Sequence, residues 1–259
     1  MEREKPLVII SGASSGIGQA LAERYAAQGA TLGLIARREP ELQRLAARLG
    51  VPTRIYPLDV RDAAALAAVA DDFMSCHGCP DIVIASAGVS LGTLTECHED
   101  LAAFQDVIDI NVVGVAKTFQ PFIASMRKHR HGKLVGIASV AGYRGLPGAE
   151  AYSASKAALI SYLESLRVEL ARTGIKVVTI CPGYVATPMT AGNPYPMPFL
   201  MSADAAAGKI IAAIARGKSY AVIPWQMAIV ARMLRMVPNR LYDWLFANAP
   251  RKPRRRSER

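Results

Sequence analysis

At 259 residues, 51% of them apolar and 20% charged, the chain can bury one large core and is neither a disordered nor a fibrous sequence. Four cysteines (Cys76, Cys79, Cys97 and Cys181) are too few and too scattered for a disulfide framework, and no basic-then-apolar leader precedes Leu7, so a reduced, cytoplasmic protein is expected. The formal charge of +10 is uneven: Arg251 to Arg259 holds six basic residues and one acid, which leaves the body too mildly basic for a nucleic-acid partner.

In chain order, apolar runs alternate with helix-like segments from Leu7 to Ile223. That alternation predicts an α/β fold, a parallel sheet wrapped by helices on both faces. The near-continuous Val/Ile/Leu runs suit strands buried on both sides. The expected strands are Leu7 to Ile10, Thr31 to Ile35, Thr53 to Pro57, Ile82 to Ala85, Lys133 to Ala138, Lys176 to Ile180 and Tyr220 to Ile223. Helices fill the gaps, among them Ala20 to Gln28 closed by Gly29, and Tyr152 to Arg172 closed by Gly174. With no internal repeat or low-complexity linker, residues 1–224 read as one domain.

The first strand runs straight into Ser11-Gly12-Ala13-Ser14-Ser15-Gly16-Ile17-Gly18, followed at once by an apolar-periodic helix. Glycines there let the backbone turn tightly and approach a pyrophosphate, which then rests on the N–H groups and positive end of that helix. The spacing, Gly-x-x-x-Gly-x-Gly, differs from the longer-known dinucleotide fingerprint, and the strand-before, helix-after context is what gives it weight. At the end of the second strand stands Ala36-Arg37-Arg38, where an NAD-preferring protein would place a carboxylate on the ribose diol. Two guanidinium groups there suit a 2′-phosphate, so NADP(H) is the expected cofactor. After the third strand, Asp59-Val60 occupies a loop at the same sheet edge, suited to an adenine amino group.

Cys76-His77-Gly78-Cys79 has redox or zinc spacing but lacks a second ligand pair, so a helix-to-strand turn explains it better and no metal is expected. His129 and His131, among Arg127, Lys128 and Arg130, read as a solvated helix end.

Tyr152 and Lys156, four apart on a strongly helical stretch, share one face and can meet at one substrate. A nearby cation can lower a tyrosine's pKa from ~10 by roughly 1 to 3, which brings it closer to a working proton donor. Ser139 follows the preceding strand at the carboxyl edge of the sheet, placed to donate a hydrogen bond to a substrate oxygen. Asn111, inside an earlier apolar helix, could hold a water against the lysine; an interior helical asparagine needs some such satisfaction of its amide.

Together these residues resemble the short-chain dehydrogenase/reductase family from Pro6 to about Pro224. The likeness rests on Gly12, Gly16 and Gly18, on Asp59, on Ala87-Gly88 after the fourth strand, on Asn111, Ser139, and Tyr152 with Lys156, and on Pro182-Gly183 with Thr187 after the sixth. It implies a doubly wound Rossmann-type fold with a seven-stranded parallel sheet, a nicotinamide cofactor, and a tetrad of Asn111, Ser139, Tyr152 and Lys156. In that pattern Tyr152 is the general acid in carbonyl reduction, Lys156 also holds the nicotinamide ribose, and Ser139 orients the carbonyl. Cofactor contacts are implied for Gly12, Ser14, Ser15, Gly16, Ile17 and Gly18, for Arg37, Arg38, Asp59, Val60, Ala87 and Gly88, and for Pro182, Gly183, Val185 and Thr187. A homodimer or homotetramer, paired through the helices carrying Asn111 and Tyr152, is implied as well. The sequence departs from the pattern at Ala85-Ser86-Ala87-Gly88, where Asn-Asn-Ala-Gly is usual, and at Ser15, where many NADP users carry a basic residue.

Between Thr187 and Ser202 the sequence is rich in proline, methionine and aromatic residues, at the position of the family's substrate-covering loop. Such a lid suits a lipophilic carbonyl or alcohol; the other reading is a loop packed on its own core. Residues 225–250 resume a helical pattern, with Met227, Val230, Leu234, Val237, Leu241 and Leu245 on one face, Arg232, Arg235, Asn239 and Asp243 opposite, and Pro238 dividing two helices. The uncharged run Ser219 to Ala231 falls well short of the ~20 residues of a membrane span. Amphipathic helices followed by the basic segment 251–259 fit peripheral attachment to the inner, anionic face of a membrane. The alternative is a cover over the pocket or a partner subunit, with the tail disordered.

The leading function is thus NADPH-dependent reduction of a lipophilic ketone. A rival, a non-catalytic NADP-sensing module, has no need of Tyr152 or Lys156.

Overall fold

The structure, a computed structural model, describes residues 5–254. Nine strands are present among these residues: β1 (Leu7–Ser11), β2 (Thr31–Ala36), β3 (Thr53–Pro57), β4 (Ile82–Ala85), β5 (Gly132–Ile137), β6 (Ile175–Pro182), β7 (Val185–Ala186), β8 (Met201–Ser202) and β9 (Tyr220–Ile223). Seven form one parallel sheet in the order β3-β2-β1-β4-β5-β6-β9, and the order reverses between β1 and β4. That reversal opens a crevice at the carboxyl ends of the strands, where open α/β sheets bind ligands.

Side chains alternate across each strand, so two cores form. Val8, Ile10, Leu32, Leu34, Ile84 and Val135 point to one face, covered by α1 (Gly16–Ala26), α2 (Glu39–Leu49) and α7 (Ala203–Ala215). Leu7, Ile9, Ile35, Val83 and Leu134 point to the other. That face is covered by α3 (Ala63–His77), α5 (Gly114–His129) and α6 (Glu150–Glu169), with α4 (Asp100–Ile108) packed on α6. The continuous stretch Asp100–His129 is long and apolar enough to cross a membrane, yet its Val115, Phe119, Phe122 and Met126 are buried in this core. A π-helical turn, Asp109–Val113, joins α4 to α5 and carries Asn111; such widened turns often occur at functional sites.

Two differences from the sequence expectation matter. The first helix starts at Gly16 rather than Ala20, so part of the glycine-rich turn is already helical. Beyond β6, the short pair β7–β8 was not foreseen; Val185 pairs with Met201 and Ala186 with Ser202, which ties together the two ends of the loop at 187–200.

Past β9 the chain forms α8 (Trp225–Met236) and α9 (Asn239–Phe246), separated at Pro238 as expected. Helix α8 buries Met227 and Ala231, but α9 buries Tyr242, leaving Leu241 and Leu245 exposed. The single apolar face drawn through both helices therefore needs correction. The break at Pro238 re-aims α9, and Tyr242 is drawn inward because its hydroxyl donates to Gly145 O (2.6 Å). The basic segment, expected to be disordered, lies along the body as far as Arg254. There, Arg254 pairs with Asp100 (2.7 Å) and Glu99 (3.0 Å). Arg255 to Arg259 lie outside the described residues.

Candidate active site

The crevice begins where β1 ends. Gly12 adopts φ +72° and donates to Ile35 O at 2.8 Å, and a Cβ on it would lie 2.6 Å from Ala87 N. Gly16 has φ +58° and faces Thr187, while a Cβ at Gly18 would collide with the Gly12 carbonyl. All three positions thus require glycine for backbone shape or clearance. Ser15 caps α1 without a side-chain hydrogen bond, so the first N–H groups of that helix are left to the crevice, where they favour an anion. This cradle fits a dinucleotide diphosphate. The crevice has a volume of about 280 Å³ and gathers all of the cofactor-contact residues expected from sequence, from Gly12 to Thr187.

At its adenosine end, Arg38 Nη2 donates to Ser14 Oγ (3.0 Å), which brings two of the three residues expected at a 2′-phosphate together. The third, Arg37, is largely exposed, with its Nη1 3.9 Å from Asp59 Oδ2. Arg61, which the sequence reading missed, donates to both carboxylate oxygens of Asp59 and also to Asp106 at 2.8 Å. These hydrogen bonds hold the Asp59 carboxyl below its ordinary range, more than offsetting its partial desolvation. Val60 is buried against Gly114, where a Cβ would sit 2.8 Å from its Cγ2. It contributes a fixed apolar edge.

At the other end Ser139, Tyr152 and Lys156 converge. Ser139 leaves β5 in extended conformation and caps a 3-10 turn, its Oγ accepting from Ala141 N (3.1 Å), and it is hydrogen-bonded to Tyr152. Lys156, one helical turn after Tyr152, donates to Ile137 O (2.8 Å), and its Nζ lies 5.8 Å from the Tyr152 ring centre. Burial of this ammonium lowers its pKa to about 8.

One expectation is corrected here. Lys156 does not bring the Tyr152 phenol below its ordinary pKa: desolvation raises it and outweighs the opposing hydrogen bond from Ser139. The lysine's hydrogen bond runs instead to a backbone carbonyl. Asn111 donates to Val89 O (2.9 Å) and Ser155 Oγ (3.0 Å) and accepts from Val89 N (2.8 Å). Ser155 Oγ donates in turn to Tyr152 O (2.8 Å). Asn111 thus ties the loop after β4 to the first turns of α6. Ser155 gave no signal in the sequence, being one more small polar residue in a helix.

A second cavity, of about 290 Å³, meets the first at Ser139, Tyr152, Gly183, Met189 and Thr190. Its walls are mainly apolar: Val140, Leu146 and Pro147 after β5, Tyr184 beside β6, Met189 and Tyr195 from the loop at 187–200, and Phe246 from α9. The lid therefore does face a cavity. So does the C-terminal segment, through Phe246, Ala249, Pro250 and Lys252. The sequence hinted at a pocket cover there but could not name these residues, because their helical periodicity pointed to Leu241 and Leu245.

The arrangement can place a carbonyl between two hydrogen-bond donors at the junction of a dinucleotide cleft and an apolar chamber. Comparison with known proteins agrees. The short chain dehydrogenase family profile matches residues 6–195. A Myxococcus xanthus protein described as an uncharacterized oxidoreductase is 40% identical over 238 residues, covering 91% of this chain and 94% of its own. The Escherichia coli 3-oxoacyl-[acyl-carrier-protein] reductase FabG is 34% identical over 190 residues, 73% of this chain and 78% of that protein. A crystal structure of a short chain dehydrogenase/reductase from Burkholderia phymatum in complex with NAD superposes with a TM-score of 0.82 at 25% identity, covering 99% of this chain and 100% of that one. With the seven-stranded sheet and the glycine-rich crevice, these matches establish that the chain belongs to the short-chain dehydrogenase/reductase family of oxidoreductases.

Proposed function

We propose that the protein is an NADPH-dependent carbonyl reductase for lipophilic ketones, able to run in reverse on the secondary alcohol. The observation that carries this reading is the meeting of the two cavities at Tyr152 and Ser139. When bound, the nicotinamide cofactor supplies the hydride. Its diphosphate is held by Gly12, Ser15, Gly16, Ile17 and Gly18, its 2′-phosphate by Ser14, Arg37 and Arg38, and its adenine by Asp59 and Val60. Ala87, Gly88 and Lys156 hold the nicotinamide ribose, and Pro182, Gly183, Val185 and Thr187 the carboxamide end.

Tyr152 gives its proton to the carbonyl oxygen as general acid, and the raised phenol pKa keeps that proton available. Ser139 donates a hydrogen bond to the same oxygen and Lys156 replenishes the proton. Asn111 supports this relay by fixing the loop after β4 against α6. The apolar lining of the second cavity favours keto-lipid, steroid-like or aromatic ketones over small polar ones. The test is NADPH oxidation across ketones of graded chain length, with Tyr152→Phe in parallel. Lipophilic ketones should be reduced and the variant should lose at least about 100-fold in kcat. Turnover of small polar ketones alone would refute the substrate class, and full activity in the variant would refute the chemistry.

The same reading includes a setting: a cytoplasmic homo-oligomer paired through α5 and α6 and resting on an anionic membrane face. Support for pairing is the exposed face of α6, built of Ala154, Ala157, Ala158 and Ser161. Support for the membrane is the outer face of α8 and α9, where Trp225 (66% exposed), Ile229, Met233, Met236 and Trp244 (75%) stand among exposed Arg232, Arg235 and Arg240.

A further inference from the structure

Lys252 occupies a place that the carbonyl chemistry does not explain. It lines the apolar cavity but not the dinucleotide crevice. Its Nζ donates to Ser90 Oγ at 2.8 Å and lies 6.0 Å from the centre of the Tyr152 ring. Among the described residues no carboxylate pairs with it. Glu99 and Asp100, which meet the tail, are taken by Arg254, and Glu150 accepts from Thr95 N and Oγ1.

The tail that carries Lys252 is seated, not draped. Arg254 Nε donates to the buried Asp100 at 2.7 Å, and Gly92 N donates to Pro253 O at 3.2 Å. Two glycines clear the path. A Cβ at Gly92 would collide with Lys252 O, and one at Gly148 would lie 2.7 Å from Arg251 Cβ. Anchoring therefore belongs to Arg254 and the backbone, and Lys252 is free to serve the cavity. A half-buried ammonium in apolar surroundings is costly unless an anion answers it, and one hydroxyl and one ring face answer it only in part. Burial already lowers its pKa.

We propose that Lys252 is a binding subsite for a carboxylate on the substrate, so that the ketone reduced at Tyr152 belongs to an amphipathic oxo acid, apolar along its body and anionic at one end. This rests on the reductase reading above and narrows its substrate class. Ser90 orients the ammonium, and the tail seated by Arg254 holds it beside the reacting carbonyl.

The experiment uses the full-length enzyme with NADPH, oxodecanoic acids bearing the ketone at different positions, and their methyl esters. For the best-placed ketone, kcat/KM should favour the acid over its ester by about 10- to 100-fold, the scale of a charge-assisted hydrogen bond. In Lys252→Gln that ratio should fall to about one, chiefly through KM, and Lys252→Arg should retain most of it. Calorimetry of decanoate, which has no ketone, binding to the NADP complex gives a second readout and should weaken by a similar factor in Lys252→Gln. Equal use of acid and ester by the unmodified enzyme, or a preference that survives Lys252→Gln, overturns the subsite even if ketones are reduced. Lys252-dependent decanoate binding without any carbonyl turnover would uphold the subsite and overturn the reductase reading instead.

Discussion

The guanidinium of Arg144 lies 3.9 Å from the centre of the Tyr242 ring, and its Nη1 donates to Leu234 O and Val237 O at 2.6 Å each. One side chain from the loop after β5 thus caps the carboxyl end of α8 and stacks on α9. The cavity wall at Leu146 and Pro147 follows directly in sequence, so the extension and the chamber share a support.

Arg144→Ala should therefore loosen the extension before it unfolds the domain. The lost cap and stack are worth about 2 kcal/mol, or roughly 4–8 °C in Tm for a chain of this size. Hydrogen exchange should accelerate across residues 225–246 and leave the central strands protected. Uniform acceleration throughout the chain would contradict this.

Gly18→Ala and Gly50→Ala separate clearance from conformation. At Gly18 a Cβ meets the Gly12 carbonyl, so the cradle must distort and NADPH affinity should fall at least about 100-fold. Gly50 has φ +64° with open space around it, so alanine there should cost only about 1–2 kcal/mol and leave cofactor affinity unchanged. Fluorescence titration of NADPH and thermal melts read both effects.

Arg38→Ala should weaken NADPH binding by about 10- to 100-fold and leave NADH nearly unaffected, because the guanidinium held beside Ser14 is the proposed partner of a phosphate that NADH lacks. Tighter binding of NADH than NADPH by the unmodified protein would refute the NADP preference itself.

Lys156, lowered to about 8, is charged below that pH and neutral above it. Ketone reduction should accordingly hold steady at neutral pH and decline as pH rises through about 8. Its buried ammonium opposes folding, since the folded state gives up the proton more readily than the unfolded one. Between about 8 and the ordinary lysine value of 10.5, stability should therefore rise with pH relative to a Lys156→Met variant, whose melts supply the baseline. A rate that climbs through pH 8 would contradict the assignment.

Attachment to a membrane predicts sedimentation with anionic vesicles that is lost in Trp225→Ser/Trp244→Ser and at high salt. A full-length protein that never sediments would end that reading, and a change in oligomer size in the double variant would identify a second copy as the occupant.

Much of the site was legible because its residues act through local geometry. Gly12, Gly16 and Gly18 are fixed by one turn, and Tyr152 and Lys156 by one helical turn, so spacing alone brought them together. Strand positions were legible for a similar reason: a strand buried on both faces must be a continuous apolar run, and Leu7 to Ile10 or Ile82 to Ala85 can be little else. Arg61, Ser155 and Lys252 were not legible. Lys252 meets the distant Ser90, Ser155 ties Asn111 to Tyr152, and Arg61, though two residues from Asp59, is also held by the distant Asp106.

The amino-acid order by itself settled the alternation of strand and helix, the glycine cradle and the Tyr152–Lys156 pair, since periodicity and short spacings are properties of the local chain. Only the packed molecule decided the direction of the Tyr152 phenol's shift, where desolvation set by many residues outweighs the hydrogen bond from Ser139. It also decided that the basic tail lies against the body and lines a cavity, because ion pairs such as Arg254 with Asp100 join positions 154 residues apart.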